Sequence, residues 1–201
     1  LTLIGDTAAL DDLLHALLTD SDPVVQGSAV GVMVVIGEEA LDGLLSVLSN
    51  PNSTQMQLGM ASWGLSFVGA RAPERLREAA TSSNAEIRTA AIAALGDQIQ
   101  ALEDESARDL LIAALNDEVA DVRAEASTLL GKLHDAGWAE PLLKPRLSDS
   151  IPQVRKNAAL ALMKLNATEA IPEIKELINS EEDPGVKAVF RLTINQLKPN
   201  D

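Results

Sequence analysis

Apolar residues recur at i, i+4, i+7, i+8 and i+11 from six starting points: Val25, Met56, Ile87, Val122, Val154 and Val186. Each start is followed by a polar residue, Gln26, Gln57, Arg88, Arg123, Arg155 and Lys187 in turn, and successive pairs lie 31, 31, 35, 32 and 32 residues apart. Such spacing is that of a helix buried along one side. The predicted core stripes are Val25, Ala29, Val32, Met33, Ile36 in the first repeat and Met56, Met60, Trp63, Gly64, Phe67 in the second. In the fourth repeat the stripe is Val122, Ala126, Leu129, Leu130, Leu133, and in the sixth it is Val186, Phe190, Thr193, Ile194, Leu197. The stripes from Ile87 and Val154 follow the same register with one polar lapse at Gln98. Trp63 and Phe67, four residues apart, look like an aromatic platform, but this register assigns both to the core.

A shorter apolar helix precedes each of these, for example Leu10, Leu13, Leu14, Leu17 and Leu110, Leu111, Ala114, Leu115. Asp22-Pro23 and Asp183-Pro184 place a cap acceptor and a first-turn proline before second helices, and Gly37 and Gly69 follow helix ends. Ser106 and Asp109 resemble a capping box. No segment has the alternation of a strand. One hairpin cannot cover its own apolar face, so the hairpins must stack. The expected fold is an all-α, right-handed α-α superhelix of about six helical hairpins, forming a single repeat domain over residues 1–201. The longer interval marks an irregularity around Gln100 to Ser106.

The runs from Asn116 to Gly131, Ser148 to Leu162 and Glu86 to Gly96 resemble the HEAT-like repeats of the phycobilisome lyase type. That family comprises E/F-type phycobilin lyase subunits, related phycobilisome-degradation proteins and scaffolds without chemistry. The resemblance covers essentially the whole chain, although Gln26 and Gln57 stand where the other repeats carry Arg or Lys. It implies a solenoid that holds proteins or an open-chain tetrapyrrole. Any acceptor thiol would belong to a phycobiliprotein, because this chain has no cysteine.

Composition narrows the classes further. Hydrophobic residues make up 46% and aromatics 2%, so the core is built of Leu, Ala, Val and Ile, as suits packed helices. Sixteen basic against thirty acidic residues give a net charge of −14, which disfavours nucleic-acid backbones. The absence of cysteine excludes disulfides, thiolate metal sites and thiol nucleophiles, and fits a cytoplasmic setting. The longest uncharged stretch, Gly43 to Ala70, is interrupted by Asn50-Pro51-Asn52, so no membrane span is expected. The opening at Leu1, without methionine or a signal-like run, suggests that residues upstream are missing.

No sequence constellation predicts catalysis. His15 and His134 lack the companions of a zinc site, so no metal is expected. Asp20-Ser21-Asp22 begins like a calcium loop but runs into Pro23, with Gly31 at the twelfth position. Gly59 to Gly64 has the glycine spacing of a phosphate loop but is followed by Leu65-Ser66. Asn52-Ser53-Thr54 and Asn166-Ala167-Thr168 match the glycosylation pattern without a secretory context. The carboxylates of Glu103 to Glu105 and Glu181 to Asp183 fall in turns, where solvation or helix capping accounts for them. Arg88, Arg123, Arg155 and Lys187 recur with the repeat and are expected to pair with acids or carbonyls at the hairpin turns rather than to line a ligand site.

The second helices divide the chain. The first two carry no charge and place Gly27, Gly31, Val34, Leu58, Gly59, Ser62, Leu65 and Ser66 off the core stripe, whereas later repeats show Glu125, Lys132, Lys156, Lys164 and Arg191. Glycine inside a helix costs about 1 kcal/mol against alanine, so Gly27, Gly31, Gly59 and Gly64 suggest close approach by another surface. That surface is either a missing upstream repeat or neighbouring helix, or a partner protein or flat apolar ligand in a groove lined by these eight residues. The expected function is a protein-binding scaffold in phycobilisome maturation or turnover, needing no cofactor. Its partner would be a phycobiliprotein or a second HEAT-repeat subunit. The alternatives are an E/F-type lyase subunit holding a phycobilin and an adaptor unrelated to pigments.

Overall fold

The computed structural model describes residues 6–101, 103–134 and 137–198, so Leu1 lies outside the described residues. Among those residues, all regular structure is helical. The chain divides into two compact units, with the boundary between Ala107 and Arg108.

The first unit contains α1 (Leu10–Thr19), α2 (Pro23–Ile36), α3 (Leu41–Ser49), α4 (Gln55–Gly69), α5 (Pro73–Ala79), α6 (Ala85–Ala94) and α7 (Gly96–Ala101). The pairs α1–α2, α3–α4 and α5–α6 are antiparallel hairpins whose second helices stack in the order α2, α4, α6. The short α7 is an addition to the repeat and explains the 35-residue interval. Local chemistry fixes the helix starts. Asp22 accepts the Val24 N–H at 2.8 Å ahead of Pro23, and Asn84 accepts the N–H groups of Glu86 and Ile87. Thr54 and Gln57 form a reciprocal capping box. Helix α2 stops at Gly37, whose φ of 98° is strained for an L side chain. The Gly37 N–H donates to the Met33 carbonyl at 3.0 Å. Between α2 and α4, a Cβ on Gly64 would lie 2.8 Å from Val30 Cγ1, so this glycine serves packing inside the unit.

The boundary falls within α8 (Glu105–Ala114), and the second unit continues with α9 (Ala120–Leu130), α10 (Glu140–Leu143), α11 (Pro152–Lys164), α12 (Ile171–Ser180) and α13 (Pro184–Leu197). Here α9, α11 and α13 stack in turn, with α10 against α11 and α12 against α13. The α9–α11 contact is close enough that a Cβ on Gly131 would come within 2.6 Å of Ala161 Cα. Asp104, not Ser106, caps α8: its carboxylate accepts the N–H groups of Ser106 and Ala107. Ser106 lies inside the first turn, two residues past the cap position.

The predicted stripes hold in the second unit, where Val122, Ala126, Leu129, Leu130 and Leu133 are buried, as are Val186, Phe190, Thr193, Ile194 and Leu197. They do not hold in α4. There the buried stripe is Gln57, Ala61, Gly64, Leu65 and Val68, whereas Met56, Trp63 and Phe67 are about half exposed. The stripe has moved by one residue, a turn of about 100°. A charged arginine resists burial, so where it follows the apolar residue the apolar residue goes inward; a glutamine can itself be buried if its amide is satisfied. Gln57 meets that condition. Its Nε2 donates to the Leu17 and Leu18 carbonyls at 3.0 Å each, and its Oε1 accepts the Thr54 N–H at 2.8 Å. Replacing Gln57 with leucine strands those carbonyls and should cost about 1–3 kcal/mol, measured as a shift in the urea midpoint with an unchanged slope. In α2 the exchange is confined to the start of the stripe: Gln26 is buried and Val25 is 39% exposed, while Ala29, Val32 and Met33 are buried as expected.

Candidate docking surface

The three repeating arginines serve the hairpin turns. Arg88 Nη1 donates to the carbonyls of Ser82 and Ser83. Arg123 Nη1 donates to those of Asp117 and Glu118, and Arg155 Nη1 to those of Asp149 and Ser150. In each case the acceptors lie six and five residues back, in the turn before the helix. Gln26 Nε2 makes the equivalent bond to the Asp20 carbonyl at 2.7 Å. In the second unit the ladder also crosses to the next repeat. Arg123 holds Asp149 through Nε and Nη2 at 2.8 Å each, and Arg155 holds Glu181 through the same atoms at 2.7 Å each. Both acids lie 26 residues after their arginine, a spacing readable in the sequence but overlooked there. Burial opposes ionisation of Asp149, but the hydrogen bond from Arg123, the Ile151 N–H and the charges of Arg123 and Arg146 outweigh it and hold the carboxyl below its ordinary range. The Arg155 hydrogen bond lowers Glu181 against the cost of burial, helped by the N–H groups of Asp183 and Glu182. Lys187 follows Val186, the start of the last stripe, and is half-buried.

A different surface lies on α2 and α4, neither of which contains a charged residue. Val24, Ser28, Gly31 and Val35 share one face of α2, and Met56, Gly59, Met60, Trp63 and Phe67 share one face of α4. Val24 is 73% exposed, and Val35, Met56, Trp63 and Phe67 lie between 47% and 51%. The Trp63 and Phe67 rings meet with centroids 4.9 Å apart at a tilt of 58°. Trp63 and Phe67 are therefore not core residues: with Gln57 turned inward, positions 63 and 67 turn outward. A Cβ built on Gly31 or Gly59 meets nothing within 4 Å among the described residues, so no described helix accounts for either glycine.

The eight groove residues expected from sequence separate accordingly. Gly31 and Gly59 lie on this open face, and Gly27 faces Met60 across α2–α4, its would-be Cβ 3.9 Å from the methionine methyl. Leu65 is fully buried and lines no groove, because the one-residue shift places it at the centre of the α4 core stripe. Leu58 lies to one side, in a hollow with Pro51, Gln55, Asn84 and Glu86. Val34, Ser62 and Ser66 are half-buried flanks, and the Val34 carbonyl accepts from Arg71 at 3.3 Å. Sequence reasoning did not single out Val24, and it assigned Met56, Trp63 and Phe67 to the core. Gln57 in place of arginine was the signal that could have found them.

Among the described residues, no group of histidines, cysteines and carboxylates could hold a metal ion. No described helix is long and apolar enough to cross a membrane.

Residues 108–195 match the family model for HEAT repeats. Over 160 residues, or 80% of its length, the chain is 42% identical to the bilin biosynthesis protein MpeU of Synechococcus sp. (strain WH8020). It spans about half of that relative, 54%. A designed armadillo repeat protein in complex with the peptide (KR)4 is similar at 19% identity and a TM-score of 0.55, covering 94% of this chain and 99% of that one. Human deoxyhypusine hydroxylase in complex with glycerol is similar at 22% identity and a TM-score of 0.50, covering 98% and 76%. These two likenesses concern the fold alone. The stacked helix pairs of each unit are those of a HEAT-type repeat fold. Among proteins of this fold the chain is similar to a bilin biosynthesis protein, in agreement with the lyase-type resemblance of its repeats.

Proposed function

We propose that the chain is a docking scaffold in the maturation or turnover of bilin-carrying proteins, with the α2–α4 face receiving a protein partner such as a phycobiliprotein subunit. One observation carries this reading: two adjacent helices without a charge expose Val24, Val35, Met56, Trp63 and Phe67 on their outer faces. Apolar patches of this kind mark interaction sites. The kinship with a bilin biosynthesis protein supports the setting.

The second reading is a lyase subunit that stacks an open-chain tetrapyrrole on Trp63 and Phe67, and the exposed aromatic pair favours it. Its difficulty is charge. A bilin carries propionates, which need cations, and residues 1–107 contain no lysine and four arginines. Arg71 is bonded to the Val34 carbonyl, Arg75 to Asp42, Arg77 to Asp104 and Arg88 to turn carbonyls. A protein partner therefore fits this face better.

Titration with an apo-phycobiliprotein subunit tests the assignment. The Trp63→Glu/Phe67→Glu variant should melt like the parent and bind the subunit at least about tenfold more weakly, as loss of a central aromatic anchor does. Equal binding by parent and variant would refute the face. Saturable binding of phycocyanobilin alone, followed by visible absorbance and lost in the same variant, would establish the tetrapyrrole reading instead.

A further inference from the structure

Resting on the docking reading above, we infer that the segment received by the α2–α4 face is a cationic amphipathic helix: an aliphatic stripe flanked by lysine and arginine. With 14 and 15 residues, α2 and α4 run side by side for about 21 to 22 Å. They offer two exposed, uncharged flanks with Gly27 and Met60 facing each other between them. At Gly31 and Gly59 the backbone is open to contact. A helix of about four turns, with anchors at i, i+3, i+4 and i+7, matches that length and shape.

Charge selects the kind of helix. The apolar strip is bordered by carboxylates: Asp20 and Asp22 at the start of α2, Glu38 and Glu39 just beyond its end, and Glu86 at the start of α6, which packs on α4. Asp22, Glu38, Glu39 and Glu86 are exposed. Arg71, beside Gly37, is the cation at this rim, and it is bonded to the Val34 carbonyl. Residues 1–107 carry fifteen acidic side chains against four arginines, a formal charge of −11, whereas residues 108–201 carry fifteen against twelve, or −3. The negative field is thus concentrated in the unit that carries the apolar face. It attracts basic flanks, repels acidic ones and speeds encounter with a cationic partner. The same field works against a second copy of this chain, since two such faces would bring −11 against −11.

The test uses the full chain and two labelled helical peptides that share a Leu/Ala stripe, one with Lys/Arg flanks and one with Glu flanks. Fluorescence anisotropy is read at about 0.05 M and about 0.5 M salt, where screening differs severalfold in range. The cationic peptide should bind saturably and at least tenfold more tightly than its acidic twin. High salt should shrink that preference, as should Glu38→Gln/Glu39→Gln, and Trp63→Ser/Phe67→Ser should weaken binding at least tenfold. Equal affinity of the two peptides, or binding indifferent to Trp63→Ser/Phe67→Ser, overturns the inference. If the apo-phycobiliprotein subunit still needs Trp63 and Phe67 while the peptides show no charge preference, the inference fails and the docking reading stands. If neither responds to the face variants, both fail. Concentration-dependent dimerisation abolished by Trp63→Ser/Phe67→Ser would replace the cationic helix with a second copy as the occupant.

Discussion

Truncating Arg123 to alanine is expected to destabilise the second unit by about 3–5 kcal/mol, the cost of removing one partner from a buried ion pair. The Arg123 side chain is 12% exposed and that of Asp149 5%. The guanidinium serves three acceptors at once: the Asp149 carboxylate and the carbonyls of Asp117 and Glu118. Its loss leaves a buried carboxylate and unlinks the turn before α9 from the turn before α11. Lysine cannot reproduce the fork, so Arg123→Lys should recover only part of the loss. The pH dependence has a definite sign. Asp149 and Glu181 have folded pKa values below their ordinary ones, so their contribution is complete above the unfolded carboxylate range near about 4 and is lost as pH falls through the lowered folded values. Denaturant midpoints measured from pH 7 downward should therefore fall on the acid side in the parent. That limb should flatten in Arg123→Ala, because Asp149 there loses its chief reason to stay ionised.

The chain has two phenylalanines, and their truncations should differ sharply. Phe190 is fully buried on α13 with Val186, Thr193 and Ile194, so Phe190→Ala should cost about 3–5 kcal/mol. Phe67 is half exposed and meets Trp63 as an i, i+4 neighbour, so Phe67→Ala should cost less than about 1 kcal/mol. Thermal melts of the two variants check this. A large loss at Phe67 would return α4 to the register expected from sequence, in which Met56, Trp63 and Phe67 face the core.

That contrast also locates the limit of the sequence reading. Hairpin count, second-helix positions and the Asp22-Pro23 and Asp183-Pro184 starts were all legible, because period and caps are local properties of the chain. The core stripe was legible where charge marked the outer side: on α9, Asp121 and Arg123 leave Val122 to point inward. On α4 no charge marks any side, so periodicity admits two stripes one residue apart. The choice is made by hydrogen bonds that Gln57 forms with carbonyls 40 and 39 residues away. Of the groove residues expected on these two helices, Gly31 and Gly59 lie open and Leu65 is buried, whereas Trp63 and Phe67, assigned to the core by register, are half exposed. The turn ladder was recognisable from the recurring arginines. Its partners Asp149 and Glu181, 26 residues beyond their arginines, meet them because successive turns stack.

The central claim is that the α2–α4 face is open in the isolated chain and covered by a protein partner. Trp63 reports on it directly. In a Trp138→Phe variant Trp63 is the one remaining tryptophan, and iodide quenching can be followed with and without saturating apo-phycobiliprotein subunit. The account predicts ready quenching of the half-exposed indole in the chain alone, and strong protection together with a blue-shifted emission once the subunit is bound. Quenching unchanged by a subunit shown to be bound in the same sample would contradict it.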